Sequence, residues 1–269
     1  MHSHALRLID HCVLPVADLD TARRRLASLG FTVAPDGVHP FGTKNACVYF
    51  ADDTFLEPLA SGDARAIAEA EADGNVFVSR DRAFRRLHDE DGFSALVFKT
   101  GNADADHEAF VDDGLSAGPM LTFSRPFRDA AGASGTASFK LAFAAPAGEA
   151  ATYIFTCQRI GTPQVDRSAL ERHANGARGI KAIMVEAPDL ARAWDFLDRT
   201  CPTSAGTVEI ERGGAGTVMR FAGIVLSVAD LARTEELFAA AAIDYRRSGN
   251  RLIVAPAPGQ GTTFAFEES

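Results

Sequence analysis

The sequence predicts an α+β fold made of four tandem βαβββ modules, and three observations carry that expectation. The first is an internal repeat. Val13-Leu14-Pro15-Val16-Ala17-Asp18-Leu19 returns as Val225-Leu226-Ser227-Val228-Ala229-Asp230-Leu231, with six of seven positions identical. A third copy reads Ile183-Met184-Val185-Glu186-Ala187-Pro188-Asp189-Leu190, and a weaker one Ala95-Leu96-Val97-Phe98-Lys99-Thr100-Gly101-Asn102. Self-similar words of this kind mark a copied supersecondary unit. The second observation is that each word is an apolar run of strand length ending at Asp or Asn, the residue types that cap helix N-termini. The third is that each following helical pattern gives way to further strand-like runs.

In the first unit, Leu19, Ala22, Leu26 and Leu29 recur at helical spacing and Gly30 stops the helix. Strands are expected at Phe31-Thr32-Val33, Ala46 to Phe50 and Thr54 to Leu59. Asp63 to Ala72 and Asp81 to His88 read as helices joining this unit to the next. The second unit has strands at Met120 to Phe123, Ser138 to Ala144 and Ala151 to Gln158. The third has a helix through Leu190, Ala193, Trp194 and Leu197, with Trp194 expected in the core, and only two strands between Gly206 and Phe221. The fourth has a helix through Leu231, Leu237, Phe238 and Ala241, then strands at Arg251 to Ala255 and Thr262 to Glu267. The unit boundaries are 1–60, 92–160, 178–221 and 222–268, and the polar join from Arg159 to Arg178 divides the chain into halves 1–160 and 178–268.

The chain has 269 residues, 46% of them apolar, which is enough for a sizeable core. A net charge of −9 argues against nucleic acid and anionic membranes as partners. The start, Met1-His2-Ser3-His4, lacks a signal-peptide pattern, and no stretch approaches membrane-span length. Cys12, Cys47, Cys157 and Cys201 show no paired short spacing. A cytoplasmic protein with free thiols is the expectation. Gly213-Gly214-Ala215-Gly216 lacks the following Lys and helix of a phosphate-binding loop, no nucleophile elbow occurs, and His107-Glu108 lacks the second His of a zinc-protease word. His2 and His4 are read as terminal residues without a role, and His88 and His107 as surface residues.

Local words add a family resemblance. Ile9-Asp10-His11-Cys12-Val13 is similar to the first strand of the vicinal oxygen chelate superfamily, and Thr54-Phe55-Leu56-Glu57-Pro58-Leu59 to its fourth. Val38-His39-Pro40-Phe41-Gly42-Thr43-Lys44-Asn45, Phe155-Thr156-Cys157-Gln158 and His173-Ala174-Asn175-Gly176-Ala177 resemble three words of its glyoxalase-like subgroup. The resemblance implies that modules pair into two cup-shaped half-barrels. It also implies that His11 and Glu57 are the residues able to hold a divalent metal (Mn, Fe, Zn or Ni).

Residue chemistry supports attention to that pair. His11 shares a strand face with Val13 and Pro15, and Glu57 sits between Phe55 and Leu59 on one face. A carboxylate among apolar neighbours is costly unless it is paired, hydrogen-bonded or metal-bound. Without a metal, Glu57 is expected to act as a general base, its pKa raised by its surroundings. His39, Asn45, Gln158, His173 and Asn175 are candidate substrate-binding residues, with Gln158 and His39 also candidates for a third ligand. The alternatives are structural: a turn around Gly42, a turn at Asn175-Gly176, and a buried inert thiol at Cys157. Aligning the repeats places Ala95, Ala182 and Gly223 opposite His11, and Ala265 at the last unit's Glu position. None of these can bind a metal through a side chain, so the second half reads as structural. Two functions stay open: a metal-dependent lyase or isomerase acting on an oxygenated small molecule, and a non-catalytic cup that only sequesters its ligand. An extradiol-type dioxygenase is disfavoured, because it needs two His and one Glu.

Overall fold

The computed structural model describes residues 6–88, 91–128, 134–147, 151–161, 166–202, 206–213 and 219–269. His2, His4 and most of the Gly213–Gly216 run lie outside the described residues. In chain order the elements are β1 (Ile9–Pro15), α1 (Leu19–Ser28), β2 (Gly37–Val38), β3 (Thr43–Asn45), β4 (Val48–Tyr49) and β5 (Phe55–Ser61). Two joining helices, α2 (Ala64–Ala72) and α3 (Val76–Leu87), lead to β6 (Ala95–Lys99), α4 (Ala103–Asp112), β7 (Leu121–Arg128), β8 (Ser134–Ala144) and β9 (Tyr153–Ile160). The remainder is β10 (Ala177–Ala187), α5 (Leu190–Thr200), β11 (Val208–Arg212), β12 (Arg220–Val228), α6 (Leu231–Ala240), β13 (Arg246–Ser248), β14 (Arg251–Val254) and β15 (Thr263–Glu268).

The four repeat words form β1, β6, β10 and β12, and all four capping residues stand where the repeat puts them. Asp18 accepts from the Thr21 amide, Asn102 from Ala105, Asp189 from Ala191 and Arg192, and Asp230 from Arg233. Each satisfies an amide that the first helical turn leaves open, a contribution of about 0.5–2 kcal/mol per cap. Helix α1 buries Leu19, Ala22 and Leu26, and the chain leaves it through Gly30 at φ +86°, a left-handed conformation that favours glycine.

Among the described residues the strands make two curled sheets. The first has nine strands in the order β2-β3-β5-β1-β6-β9-β8-β7, with β4 also on β5. Its centre is the antiparallel β1–β6 pair. Each of these strands has a parallel neighbour from its own unit, β5 beside β1 and β9 beside β6. The second sheet repeats the plan in six strands, β11-β10-β12-β15-β14-β13. The period-two alternation of strands sorts the side chains. Cys12, Leu14, Leu56, Leu96, Phe98 and Ile154 join one large core with the helices and the second sheet. Val13, Leu59, Ala95, Val97, Tyr153, Phe155 and Cys157 face the other way, into the hollow of the first sheet.

Several details differ from the sequence expectation. Phe31-Thr32-Val33 forms no strand: Phe31 instead packs edge-on to Phe50 and Phe264 and stacks on Phe266, so it is held by ring contacts rather than a ladder. Helix α3 begins at Val76, because Asn75 accepts from the Val78 amide and caps it, and the apolar Val76, Phe77 and Val78 form its buried first turn. Between Gly206 and Phe221 the described residues hold one strand, β11, besides the start of β12. Trp194 is 42% exposed rather than core, since Ala193, Phe196, Leu197 and Thr200 form the buried stripe of α5. Cys12, Cys47, Cys157 and Cys201 are free and buried. Among the described residues no helix is long and apolar enough to cross a membrane.

Candidate functional site

The hollow of the first sheet closes over a cavity of about 480 Å³, including its open mouth. Alternation places His11 of β1, Glu57 of β5, and Phe155 and Cys157 of β9 on its wall. At its floor lies Glu57, 5% exposed. Its Oε2 is 3.3 Å from His11 Nε2, and its Oε1 is 3.7 Å from His39 Nε2 and accepts from Asn45 Nδ2 at 2.5 Å. The structure thus brings His11, His39, Asn45 and Glu57 together.

The spacing of the His39–Asn45 word has a physical reading. Pro40 and Gly42 make a turn in which the Gly42 amide donates to the His39 carbonyl, and the His39 amide to the Thr43 carbonyl. Gly42 has φ +91°, and a Cβ there would come within 2.6 Å of the Asp63 carbonyl at the start of α2. The turn therefore needs glycine both for conformation and for space. It holds His39 Nδ1 2.9 Å from the Thr43 hydroxyl. It also starts β3, whose pairing of Asn45 with Leu59 sets the amide beside Glu57.

Asp10 completes the floor. The β1–β6 register shifts between Ile9 and His11, leaving Asp10 as an extra residue in the ladder. Such a bulge re-aims a side chain, and here Asp10 sits beside its own neighbour. His11 Nδ1 lies 2.7 Å from Asp10 Oδ1, and Arg159 Nη2 donates to both Asp10 oxygens at 2.8 Å. His11 is therefore clasped between two carboxylates.

These contacts set the protonation states. Burial opposes the His11 imidazolium, but the hydrogen bonds and charges of Asp10 and Glu57 outweigh it and raise the pKa. Burial pushes Glu57 up, yet His11, the His39 ring and the Asn45 amide overcome it and hold the carboxyl down at about 2. The expectation of a raised Glu57 pKa is thereby corrected: apolar neighbours surround it, but polar partners reach it. His39, desolvated by burial, falls to about 4 and is neutral. Burial pushes the Cys157 thiol up, the direction of an inert thiol.

Above this floor the walls are aromatic. Phe41, Phe55, Phe77, Phe123, Phe139 and Phe155 line the cavity, with His11 stacked on Phe55 at 4.2 Å and His39 on Phe41 at 5.0 Å. Arg125 of β7 reaches across from one sheet edge to the other. Its Nη1 would be 2.7 Å from a Cβ on Gly37 of β2. Sequence reasoning missed Asp10, Arg125, Arg159 and most of the phenylalanines. Phe55 and Phe155 did carry a signal, each lying two residues before a singled-out residue on the same strand face.

The other candidates lie elsewhere. Gln158 accepts from the Ala103 amide and donates to the Gly101 carbonyl, fastening the start of α4. His173 Nδ1 accepts from the Thr32 amide and its Nε2 is 2.9 Å from the Tyr49 carbonyl. Asn175, fully buried, donates to the Leu29 carbonyl and accepts from the Ala177 amide. The last two tie the second half to α1 and β4.

The donor set bears on the expected metal. Among the described residues no group of three or more His, Cys, Asp and Glu side chains is arranged to hold one. Aligning the caps Asp18 and Asn102 puts Ala95 at the place of His11 and Val97 at that of Val13. Val13 pairs with Glu57 and Val97 with Phe155, so Phe155 stands where the second unit would carry its carboxylate. His39 and His11 face different oxygens of Glu57. With the two imidazoles on different oxygens of Glu57 and Phe155 in the place of a second carboxylate, these side chains do not make a metal cage.

In the second sheet, at the positions the repeat sets opposite His11 and Glu57, Ala182 and Ala265 cluster with Val225, Met184 and Ile253. That sheet also holds a carboxylate at the equivalent register: Met184, the counterpart of Val13, pairs with Glu209. Arg251 closes Glu209 with two bonds, at 2.6 and 2.7 Å, and also binds Glu267.

Comparison with known proteins agrees with this architecture. The family model of the glyoxalase-like domain matches residues 9–201. A hypothetical protein from Staphylococcus aureus superposes with a TM-score of 0.67 at 12% identity, covering 97% of this chain and 99% of its own. A mutant 4-hydroxymandelate synthase from Streptomyces coelicolor gives 0.64 at 12% identity, covering 98% and 93%. A Mn(II)-bound glyoxalase from Novosphingobium aromaticivorans gives 0.55 at 11% identity, covering 97% and 82%. No curated protein matches the chain in sequence.

Proposed function

The chain belongs to the glyoxalase-like domain family of the vicinal oxygen chelate superfamily, and on that premise we propose that the cavity of its first half binds an oxygenated small molecule and moves a proton on it, as a lyase or isomerase does. The observation that carries this reading is the buried Glu57 carboxylate shared by two imidazoles at the floor of a phenylalanine-walled cavity. Substrate places a carbonyl oxygen at His11 and the adjoining C–H at Glu57. His11, as imidazolium, gives its proton to the oxygen while Glu57 takes the carbon-bound proton, leaving an enol. Glu57 is a weak base while His11 is charged. It becomes stronger as that charge leaves, so acid and base act together. In an isomerisation Glu57 returns its proton to another carbon of the conjugated enol while the enol oxygen gives its proton back to His11; in an elimination the leaving group departs with the proton from Glu57 as the enol oxygen gives its proton back to His11. Asp10 and Arg159 hold the His11 ring, Asn45 holds Glu57, and the phenylalanines exclude water.

A divalent ion, the finer expectation from sequence, would meet His11 and Glu57 as its facing ligands, so no step is routed through one. The test is proton exchange. In D2O, the wild-type protein is incubated with a panel of aryl ketones and 2-oxo acids and followed by NMR. Exchange of the α-proton that disappears in Glu57→Gln supports the reading. Binding without exchange, with affinity retained in Glu57→Gln, replaces it with the sequestering cup, which Ala95 and Phe155 in place of ligands favour. A stoichiometric transition metal in the purified protein, lost in Glu57→Gln, overturns the metal-free chemistry.

A further inference from the structure

The charges lining the cavity do not cancel, and the remainder identifies what it binds. Asp10 is covered by Arg159 and His11, and Glu57 by His11. His39 is neutral. Arg125 is left over. Among the described residues no carboxylate pairs with it, and its guanidinium carbon lies over the Phe139 ring, 5.8 Å from the centroid. It is partly buried, on the cavity wall, with its guanidinium against Gly37 where the two edges of the curled sheet approach. A half-buried guanidinium without a counter-charge gains most from a carboxylate that it can bind with two hydrogen bonds. The six phenylalanine rings on the same cavity offer faces and edges to an aromatic body.

Resting on the reading of this cavity as the working site, we propose that its ligand is an aryl-bearing monocarboxylate, its carboxylate on Arg125, its ring among the phenylalanines, and its reacting carbon at Glu57 and His11. The chain as a whole carries −9, so general electrostatics repel such an anion, and a local cation is what admits it. One leftover charge also sets the valence. A dicarboxylate would bring a second anion towards Asp10 and Glu57, where every cation is already engaged.

The test uses 3-phenylpropionate, its neutral amide 3-phenylpropionamide and the dianion benzylmalonate, titrated calorimetrically into the full-length protein. Wild type should bind the carboxylate at least tenfold more tightly than the amide and than benzylmalonate. The preference over the amide should shrink as salt rises from 50 to 500 mM. Arg125→Gln should abolish the preference while leaving amide affinity unchanged, and Arg125→Lys should restore part of it. Equal binding of carboxylate and amide by wild type, an unchanged ratio in Arg125→Gln, or no binding of either probe overturns the proposal. The wild-type salt series and amide comparison stand even if a variant folds poorly. If Glu57→Gln stops proton exchange while Arg125→Gln leaves the carboxylate preference intact, the acid–base reading survives and this one falls.

Discussion

Replacing Glu57 with Gln keeps the volume of the side chain and an oxygen for the Asn45 amide, and removes only the charge facing His11 and His39. The His11 contact is 3.3 Å long and almost fully buried. A charge-assisted hydrogen bond contributes about 1.5–3 kcal/mol. Loss of Glu57 should therefore remove about that much stability and lower the His11 pKa, with Asp10 still holding the other ring nitrogen. The assay is NMR titration of the His11 ring proton in wild type and Glu57→Gln, with urea unfolding at each pH. The stability difference has a defined window. Glu57 has a depressed folded pKa, so its contribution is complete above its ordinary 4.5 and is lost as pH falls towards about 2. His11 has a raised folded pKa, so its contribution is complete below its ordinary 6.5 and is lost as pH climbs through the raised value. The gap between wild type and variant should be widest between pH 4.5 and 6.5 and narrow on the alkaline side. An unchanged His11 pKa, or a gap that widens above pH 8, would refute the reasoning.

Two further outcomes check neighbouring parts. Asn175→Ala should cost about 1–3 kcal/mol by leaving the buried Leu29 carbonyl and Ala177 amide unpaired, measured by urea unfolding, yet leave ligand affinity unchanged, since Asn175 lies outside the cavity. Gly37→Ala puts a methyl 2.4 Å from Asn45 Oδ1 and 2.7 Å from Arg125 Nη1. Its effect should fall on the cavity, at least a fivefold loss of 3-phenylpropionate binding by calorimetry, and an unchanged affinity would show that neither group is held where the structure puts it.

What the sequence made legible is what local chemistry determines. The four helix starts at Asp18, Asn102, Asp189 and Asp230 were readable because a cap is a contact within three residues of its own helix. His11 and Glu57 were readable as suspects because alternation gave their strand faces. Asp10 was not. Alternation would turn it away from His11, and only the register shift between strands far apart in sequence turns it back. Arg125 was hidden for a similar reason, since its place depends on two sheet edges meeting. Glu57 itself was found but its acidity was misjudged, because the apolar neighbours at positions two away are visible in sequence and the partners arriving from β1 and the His39 turn are not.

The two halves show how one backbone plan can be kept while its hollow is reassigned. A carboxylate at the register of Glu57 recurs once, as Glu209, and the two are neutralised by opposite means. Arg251 meets Glu209 with a planar two-bond fork and also engages Glu267, and guanidinium does not give up its proton at neutral pH. Such a pair is closed in the sense that each Glu209 oxygen faces a guanidinium hydrogen and the charge opposite it does not leave. At Glu57 the partner is an imidazole, whose proton can leave, and the remaining contacts are an amide and a neutral ring at 3.7 Å. The same geometry therefore yields a cross-link in one sheet and an exchangeable proton in the other. Placing an arginine beside Glu57 would turn the first hollow into a second copy of the closed one. The converse, Arg251→His, should free a carboxylate in the second sheet without supplying an aromatic cavity, because the buried cluster there is Ala182, Val225 and Ala265 with Met184 and Ile253 rather than phenylalanine walls.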